Sequence, residues 1–472
     1  MDATLPLTQK FPRLLFFASV AVLLLLFGIE CFLVLHTRAW RHDSFLYIPS
    51  YYGNLISEGR WLNYLLFPAL RHFPPHLALA LSFAAFGYFS WSVARQLTDR
   101  RGALLFALAA LQLPSIYSLF GWPLIPLSAY LLLAAAAYLA RRLDYRLFFL
   151  FFGILFHGTL NNFYNLLIVL SIAPLRRGDM RLAALLIWYA AGFVAGYAAT
   201  QLIILAVHGS FMQVAEWRRL NYPVSIPDAI RNLRLALGSL KDNLMILPDK
   251  ALVLGSVLFC MALSQWHTRA TKRERERESL LLCLVLAAST YAQFFCLGLY
   301  VEIRTAFPLY LSLLCFPLLV ARRHQRIFTV ALLVIAFSYS LPNIHSLRYY
   351  QGVTSAYLEE LAAITPHPER WKILFLPDAR ELTAVEDRLI ALHGYKNSTN
   401  KRFHEPMRWA PVAYAAHFPG VLWGEAAKPV LEKLGPLTFT RGKLYDYALA
   451  DGWLVLKFNP DFTRQIRARP AD

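Results

Sequence analysis

The chain has 472 residues, of which 57% are hydrophobic and only 16% are charged. Soluble proteins average about 25% charged residues, so this composition excludes an ordinary soluble domain and predicts a polytopic membrane protein. The formal charge of +18 would suit nucleic acid, but the cations form short clusters between apolar runs, as the positive-inside rule requires of cytoplasmic loops. We therefore expect no nucleic-acid partner. The five cysteines show no metal-ligand spacing, which argues against a zinc site or a disulfide framework.

The apolar runs predict about eleven transmembrane helices, because a span needs roughly 20 apolar residues and fewer where it is buried in protein. The first run is longer than the roughly 7–15 residues of a signal-peptide core and has no small-x-small cleavage site after it, so we expect it to be retained. Lys10 and Arg13 precede it, which predicts a cytoplasmic N-terminus. The predicted spans are 14–35, 76–94, 103–120, 123–140, two short helices within 147–175, 182–207, 251–266, 279–300, 306–320 and 327–341.

The segment 147–175 is too long for one span, and a single crossing would put three arginines outside. Polar residues interrupt its middle: His157, Thr159, Asn161, Asn162 and Asn165. Two short helices that meet near the outer face satisfy both facts. Broken helices at membrane depth are tolerated only against protein or a wet cavity, so we expect this break to line a cavity.

Two long outer loops, 36–75 and 208–250, carry four and six Lys or Arg residues. These cations run against the positive-inside bias and need another reason, such as binding of phosphate or lipid headgroups. The second loop, which includes Arg218, has the pattern of short amphipathic helices lying on the membrane.

The predicted fold is therefore an α-helical polytopic membrane domain, 1–344, followed by a small extracytoplasmic α/β domain, 345–472. In the second part, WKILFLPD (371–378) and GWLVLKFNP (452–460) are typical of strands. The stretches 383–393 and 425–434 are typical of helices.

The first outer loop combines residues suited to sugar transfer at a membrane surface. Asp43 and Glu58 are candidate bases for an acceptor hydroxyl. Arg41 and Arg60 are candidate clamps for a leaving phosphate. Aromatic side chains, Tyr47 and Trp61 among them, could stack on sugar rings. The alternatives are a helix cap for Asp43, a local ion pair between Glu58 and Arg60, and the ordinary enrichment of Tyr and Trp at membrane interfaces.

Further candidate substrate-binding residues lie elsewhere in the chain. Arg304 stands where a span begins at the outer face and could bind phosphate, or it could pair with Glu302 across the turn. His157 and Asn161 could contact substrate, but polar residues of this kind more often serve helix packing.

The chain resembles GT-C glycosyltransferases, and among them the bacterial serotype-converting O-antigen glucosyltransferases. The resemblance rests on the many spans, the acid in the first outer loop (Asp43), the following Glu58-Gly59-Arg60-Trp61, and the polar break at 157–165. It covers about residues 10–345. Many relatives carry a paired acid in the first loop. This chain has His42-Asp43 there, which leaves Asp43 as the single candidate base.

The resemblance implies an inverting transfer of a hexose from a polyprenyl-phosphate donor to a cell-surface glycan acceptor of the O-antigen or lipopolysaccharide type. Asp43 would be the base, and the lipid phosphate would leave against Arg60 or Arg304. No cofactor is implied; no cluster demands a metal, although some GT-C enzymes use a divalent one. The implied location is the bacterial inner membrane, with the C-terminal domain in the periplasm.

Three rival functions remain open on the sequence. One is a transporter of lipid-linked glycans, although such proteins often show internal repeats with matching broken helices, and only one broken segment is evident here. The second is an O-antigen polymerase that uses arginines of the loop 208–250. The third is a non-catalytic assembly protein whose working part is the tail.

Overall fold

The computed structural model describes residues 13–37, 52–70, 72–119, 124–212, 220–247, 270–320, 325–365, 367, 370–376, 420–423, 427–459 and 461. The chain divides into two compact units. One consists of Met1–Ile29 and Leu46–Asn343, and the other of Glu30–Phe45 and Ile344–Asp472.

The described chain is mostly helical up to residue 364. Its helices are α1 (Arg13–Thr37), α2 (Tyr52–Ser57), α3 (Trp61–Leu70), α4 (Pro75–Arg95), α5 (Arg100–Ala110), α6 (Pro114–Ser118), α7 (Leu127–Leu139), α8 (Tyr145–His157), α9 (Ile172–Arg177), α10 (Leu182–His208), α11 (Ile226–Met245), α12 (Ala270–Leu297), α13 (Phe307–Val320) and α14 (Gln325–Ile364). Short 3-10 helices occupy Asn161–Ser171 and Ile303–Thr305.

Five of the described helical segments are long and apolar enough to cross a membrane: Arg13–Leu35, Pro75–Arg95, Leu182–His208, Arg277–Leu297 and Arg326–Arg348. Large apolar side chains stand exposed along α10, as expected of a helix that faces lipid. These helices indicate a membrane-embedded protein. The predicted total of about eleven spans is not reached among the described residues, and the predicted span 251–266 lies outside them.

The predicted span 103–120 is two short helices, because the chain breaks between α5 and α6. Pro114, the first residue of α6, cannot continue α5. The buried side chain of Gln112 occupies the break, where its amide nitrogen donates to the carbonyl of Leu23 at 3.4 Å. Ser340 Oγ donates to Gln112 Oε1 at 2.8 Å, and Asn343 Nδ2 donates to the Gln112 carbonyl at 2.8 Å. The side chain and the carbonyl of Gln112 are thus hydrogen-bonded to residues of α1 and α14.

The segment 147–175 contains the expected interruption, but its second half differs from the prediction. Helix α8 ends at His157, and Leu160 is extended, with φ −124° and ψ 97°. A 3-10 helix of 11 residues then runs to Ser171, although such helices rarely exceed three or four residues. Its side chains bond the neighbouring helices: Tyr164 OH donates to the carbonyl of Tyr189 at 2.8 Å, and Asn165 Nδ2 donates to Thr290 Oγ1 at 3.3 Å.

Glycines bring α8 and α10 into backbone contact. A Cβ atom at Gly153 would lie 2.1 Å from the carbonyl oxygen of Gly192, and one at Gly196 would lie 2.3 Å from the carbonyl oxygen of Gly153. Gly192 and Gly196 form a G-x-x-x-G pair, which lets membrane helices approach closely. Only glycine fits at these three positions without moving the helices apart.

The second unit contains a five-stranded mixed sheet with the order β2-β1-β5-β4-β3. The strands are β1 (Lys372–Phe375), β2 (Val421–Trp423), β3 (Thr440–Arg441), β4 (Tyr445–Ala450) and β5 (Trp453–Phe458). β1 pairs in parallel with β2 and β5. Asp451 and Gly452 both have positive φ and join β4 to β5 in a two-residue hairpin.

The predicted strands 371–378 and 452–460 contain β1 and β5. The predicted helix 425–434 is observed as α15 (Lys428–Leu434), and 383–393 lies outside the described residues. The composition changes near residue 345, but no helix ends there. Helix α14 continues through this point to Ile364.

The glycine contact predicts a steric effect on stability. We expect Gly196→Ala to destabilise the folded protein by about 1–3 kcal/mol, because the new methyl group would meet backbone and His157 Nδ1 at 2.4 Å. The free energy of unfolding in detergent measures this. Gly28→Ala is the matched control, because a Cβ there meets nothing within 4 Å. It should be neutral or slightly stabilising. Equal effects of the two changes would contradict the contact.

Candidate functional site

The turn between α2 and α3 fixes the chain direction of the Glu58–Trp61 segment. Gly59 has φ +87°, a left-handed conformation that favours glycine. Its N–H donates to the carbonyl of Ile56 at 3.0 Å, and the N–H of Arg60 donates to the carbonyl of Leu55 at 2.7 Å. This pair of bonds is a Schellman motif, which ends α2 and starts α3 directly.

Trp61 joins this turn to the break that follows α8. Its indole lies against Gly158, where a Cβ would come within 2.5 Å of the ring. Trp61 Nε1 donates to Thr200 Oγ1 on α10 at 3.3 Å. The N–H groups of Leu62 and Asn63 donate to the Gly158 carbonyl at 2.9 and 3.3 Å. The positive end of α3 therefore meets the negative end of α8, and each satisfies the other's unpaired backbone groups.

We call this meeting point the Trp61 junction and define it by Gly59, Trp61, His157, Gly158 and Thr200. Helix α10 packs against the junction through one buried face of small residues. This face contains Gly192, Gly196 and Thr200, which recur every four residues. Beyond Thr200, the chain returns to the junction, and Met212 Sδ would lie only 2.5 Å from a Cβ atom at Gly59.

His157 is the buried polar side chain of the junction. Its Nδ1 lies 2.8 Å from the Gly153 carbonyl, which can only accept, so Nδ1 carries the proton. Its ring packs edge-on against Phe193, with centroids 4.7 Å apart. The other nitrogen, Nε2, is buried without a hydrogen-bond partner among the described residues. In the neutral ring this nitrogen is a hydrogen-bond acceptor, and its acceptor capacity is unused among the described residues.

Two of the three arginines predicted to bind phosphate, Arg60 and Arg304, are held by neighbouring acids. Arg60 Nη2 lies 3.2 Å from Glu58 Oε2, with about a quarter of each side chain exposed. Arg304 pairs with Glu302 across the 3-10 turn, where Ser115 Oγ also donates to the Ile303 carbonyl at 2.5 Å. The local ion pairs weighed at the sequence level are therefore present. Each cancels the charge of its arginine locally, and a phosphate would have to compete with the acid.

Several predicted site residues remain apart from the junction or undescribed. Asn161 is exposed at the start of the 3-10 helix. Arg41, Asp43, Tyr47 and Arg218 lie outside the described residues, so their roles stay predictions. Within the described ranges, no group of three or more His, Cys, Asp or Glu side chains could hold a metal ion.

Sequence reasoning missed the contribution of α10. Thr200, Gly158 and Met212 were not singled out, although small residues at 192, 196 and 200 repeat with a four-residue spacing that can be read from the sequence. The break residues also divide by role. His157 belongs to the junction, whereas Asn165 lies in a buried cluster with Tyr189, Thr290 and Gln293. The hydrogen bonds of that cluster join neighbouring helices, as is typical of polar residues that serve helix packing.

No protein family model, characterised protein or solved structure shows detectable similarity to this chain.

The junction predicts an energetic coupling between Trp61 and Thr200. Thr200→Val should cost about 1 kcal/mol, because it removes the acceptor of a partly buried indole N–H. In a double-mutant cycle with Trp61→Phe, we expect a coupling energy of about 1 kcal/mol in the free energy of unfolding. Trp91→Phe, at a more exposed indole on α4, is the control partner and should not couple to Thr200→Val. Additive effects in the Trp61 cycle would show that the bond contributes nothing.

Proposed function

We propose that this chain is an integral membrane glycosyltransferase that moves a hexose from a polyprenyl-phosphate donor to a cell-surface glycan acceptor on the extracytoplasmic face. The observation that carries the proposal is the Trp61 junction. There an aromatic ring from the end of the first outer loop, Trp61, meets an imidazole from the polar break, His157, beside the Thr200 hydroxyl of α10. The outer loop and the polar break are the two segments on which the resemblance to GT-C enzymes rests.

The proposed reaction is a direct displacement. Asp43 takes the proton from the acceptor hydroxyl, whose oxygen attacks the anomeric carbon with inversion. The bond from that carbon to the phosphate oxygen breaks, and polyprenyl phosphate leaves with an added negative charge. Arg60 or Arg304 exchanges part of its bond to Glu58 or Glu302 for the leaving phosphate, which becomes a stronger competitor as its charge grows.

The junction would bind the sugar rather than perform the proton transfer. In this proposal Trp61 offers part of an aromatic face, and substrate entry exposes the buried His157 Nε2 as an acceptor for a sugar hydroxyl. Both are held on backbone contacts of rigid helices, which suits a site that must fix the anomeric carbon in line with its attacker. In this proposal the N-terminus is cytoplasmic, the C-terminal unit is periplasmic, and the membrane is the bacterial inner membrane.

The role of His157 can be separated from packing by a conservative change. An Asn side chain reproduces the donor at Nδ1 and its bond to Gly153 but lacks Nε2. We expect His157→Asn to remain folded and to lower transfer at least tenfold, the equivalent of about 1.4 kcal/mol. Transfer is measured as hexose added to surface glycan by mass spectrometry. His208→Asn, at an exposed histidine ending α10, should transfer like wild type. If the folded His157→Asn variant kept full activity, His157 would serve only in helix packing and not in substrate binding.

The base is tested in a deletion strain complemented with single variants. Wild type should add one hexose per repeat to the surface glycan, and Asp43→Asn should be expressed but add none, because an amide cannot accept the proton. Asp179→Asn is the control. It removes an acid that forms an exposed pair with Arg177, and such pairs contribute little to stability.

The rival functions give other results in the same strains. Full complementation by Asp43→Asn would remove the proposed base. Loss of whole repeat units, rather than of one hexose, would favour a polymerase or a transporter over the transferase.

A further inference from the structure

Helix α11 has three chemically distinct sides, and one of them is buried although it is mostly polar. Asn232, Ala236, Ser239 and Asn243 form a buried stripe at helical spacing. Asn232 Nδ2 donates to the carbonyls of Asn221 at 2.7 Å and Phe295 at 2.9 Å.

Asn243 fixes the other end of this stripe. Its Nδ2 donates to the carbonyl of Val301 and to Tyr291 OH, both at 3.0 Å, and Tyr310 OH donates to the Asn243 carbonyl at 2.9 Å. Hydrogen bonds from side-chain amides at both ends of α11 therefore fix the rotation of the helix about its own axis.

The apolar side of the helix points outward. Ile226, Ile230, Leu233 and Leu237 follow the spacing i, i+4, i+7, i+11, and their exposed fractions are 78, 45, 50 and 55%. A soluble helix would bury this stripe and expose the amides. The inverted arrangement needs an apolar medium on the outer side of α11.

A row of cations lies beside the apolar stripe. Arg231, Arg234 and Lys241 are exposed, and none pairs with an acid within the ranges that the structure describes. The two acids of the helix are engaged locally, because Ser225 Oγ bonds Asp228 at 2.5 Å and Tyr300 OH bonds Asp242 at 3.0 Å.

We propose that α11 lies in the surface of the bilayer, with its apolar stripe among the acyl chains and its cation row on the phosphates of anionic phospholipids. The anchors support this depth. Phe295 stands at the end of the candidate span Arg277–Leu297, and Val301 follows it, so α11 is bonded where a membrane helix ends. Cations flanking an apolar stripe are typical of interfacial helices. The inference does not depend on the proposed transferase activity.

The headgroup contact is tested by lipid binding to the purified full-length protein. Native mass spectrometry measures the affinity for phosphatidylglycerol and for phosphatidylcholine. We expect wild type to prefer phosphatidylglycerol, and the triple variant Arg231→Gln, Arg234→Gln, Lys241→Gln to bind it at least tenfold more weakly. The matched control, Lys428→Gln, Lys433→Gln, Lys443→Gln, removes three cations from the C-terminal unit and should bind like wild type. No headgroup preference in wild type, or an unchanged affinity in the α11 variant, would overturn the proposal.

The depth of α11 is measured independently of its charges. The variant Leu237→Cys, made in a background without the natural cysteines, is labelled with bimane and reconstituted into lipids that carry bromine on their acyl chains. Quenching of the bimane fluorescence by bromine then reports contact with the acyl chains. We expect strong quenching at position 237 and weak quenching at a label on Arg231→Cys, which lies about a third of a turn away around the helix. Absence of quenching at 237, or disulfide cross-linking of two copies of the unlabelled Leu237→Cys variant, would show that water or a second copy covers the stripe.

Discussion

The contact between α8 and α10 is the constraint on which the candidate site depends. Three glycines let the two backbones touch, and no side chain separates Gly153 from Gly192 or Gly196. This closeness sets His157 at the end of α8 against Phe193 and places the Gly158 carbonyl where the start of α3 can bond to it. Because a membrane offers no hydrophobic driving force between helices, close packing and polar bonds of this kind must supply the association.

The same constraint explains how an outer loop becomes part of a rigid site. The N-terminus of α3 bonds the C-terminus of α8, and the Trp61 indole is fixed between Gly158 and Thr200. The charges nearby are organised differently. Arg60 and Arg304 each pair with an acid two residues away in sequence, so neither is a free cation before a ligand arrives. Binding of phosphate there would be an exchange of partners, which makes it sensitive to the charge of the ligand.

The sequence predicted those features that depend on local chemistry. Long apolar runs gave α1, α4 and α10, and the β-branched and aromatic stretches gave β1 and β5. The break after His157 followed from polar residues in an apolar segment. Other features depend on tertiary contacts and could not be predicted. The 11-residue 3-10 helix is held by side-chain bonds from Tyr164 and Asn165 to distant helices, and the role of Thr200 appears only when α3 lies against α10.

The most direct test of the proposed activity is transfer by the purified protein in proteoliposomes, supplied with a polyprenyl-phosphate hexose and a glycan acceptor. The account predicts a product larger by one hexose, equimolar polyprenyl phosphate, and an inverted anomeric configuration by nuclear magnetic resonance. Unchanged donor, or a product of retained configuration, would contradict a direct displacement by this chain.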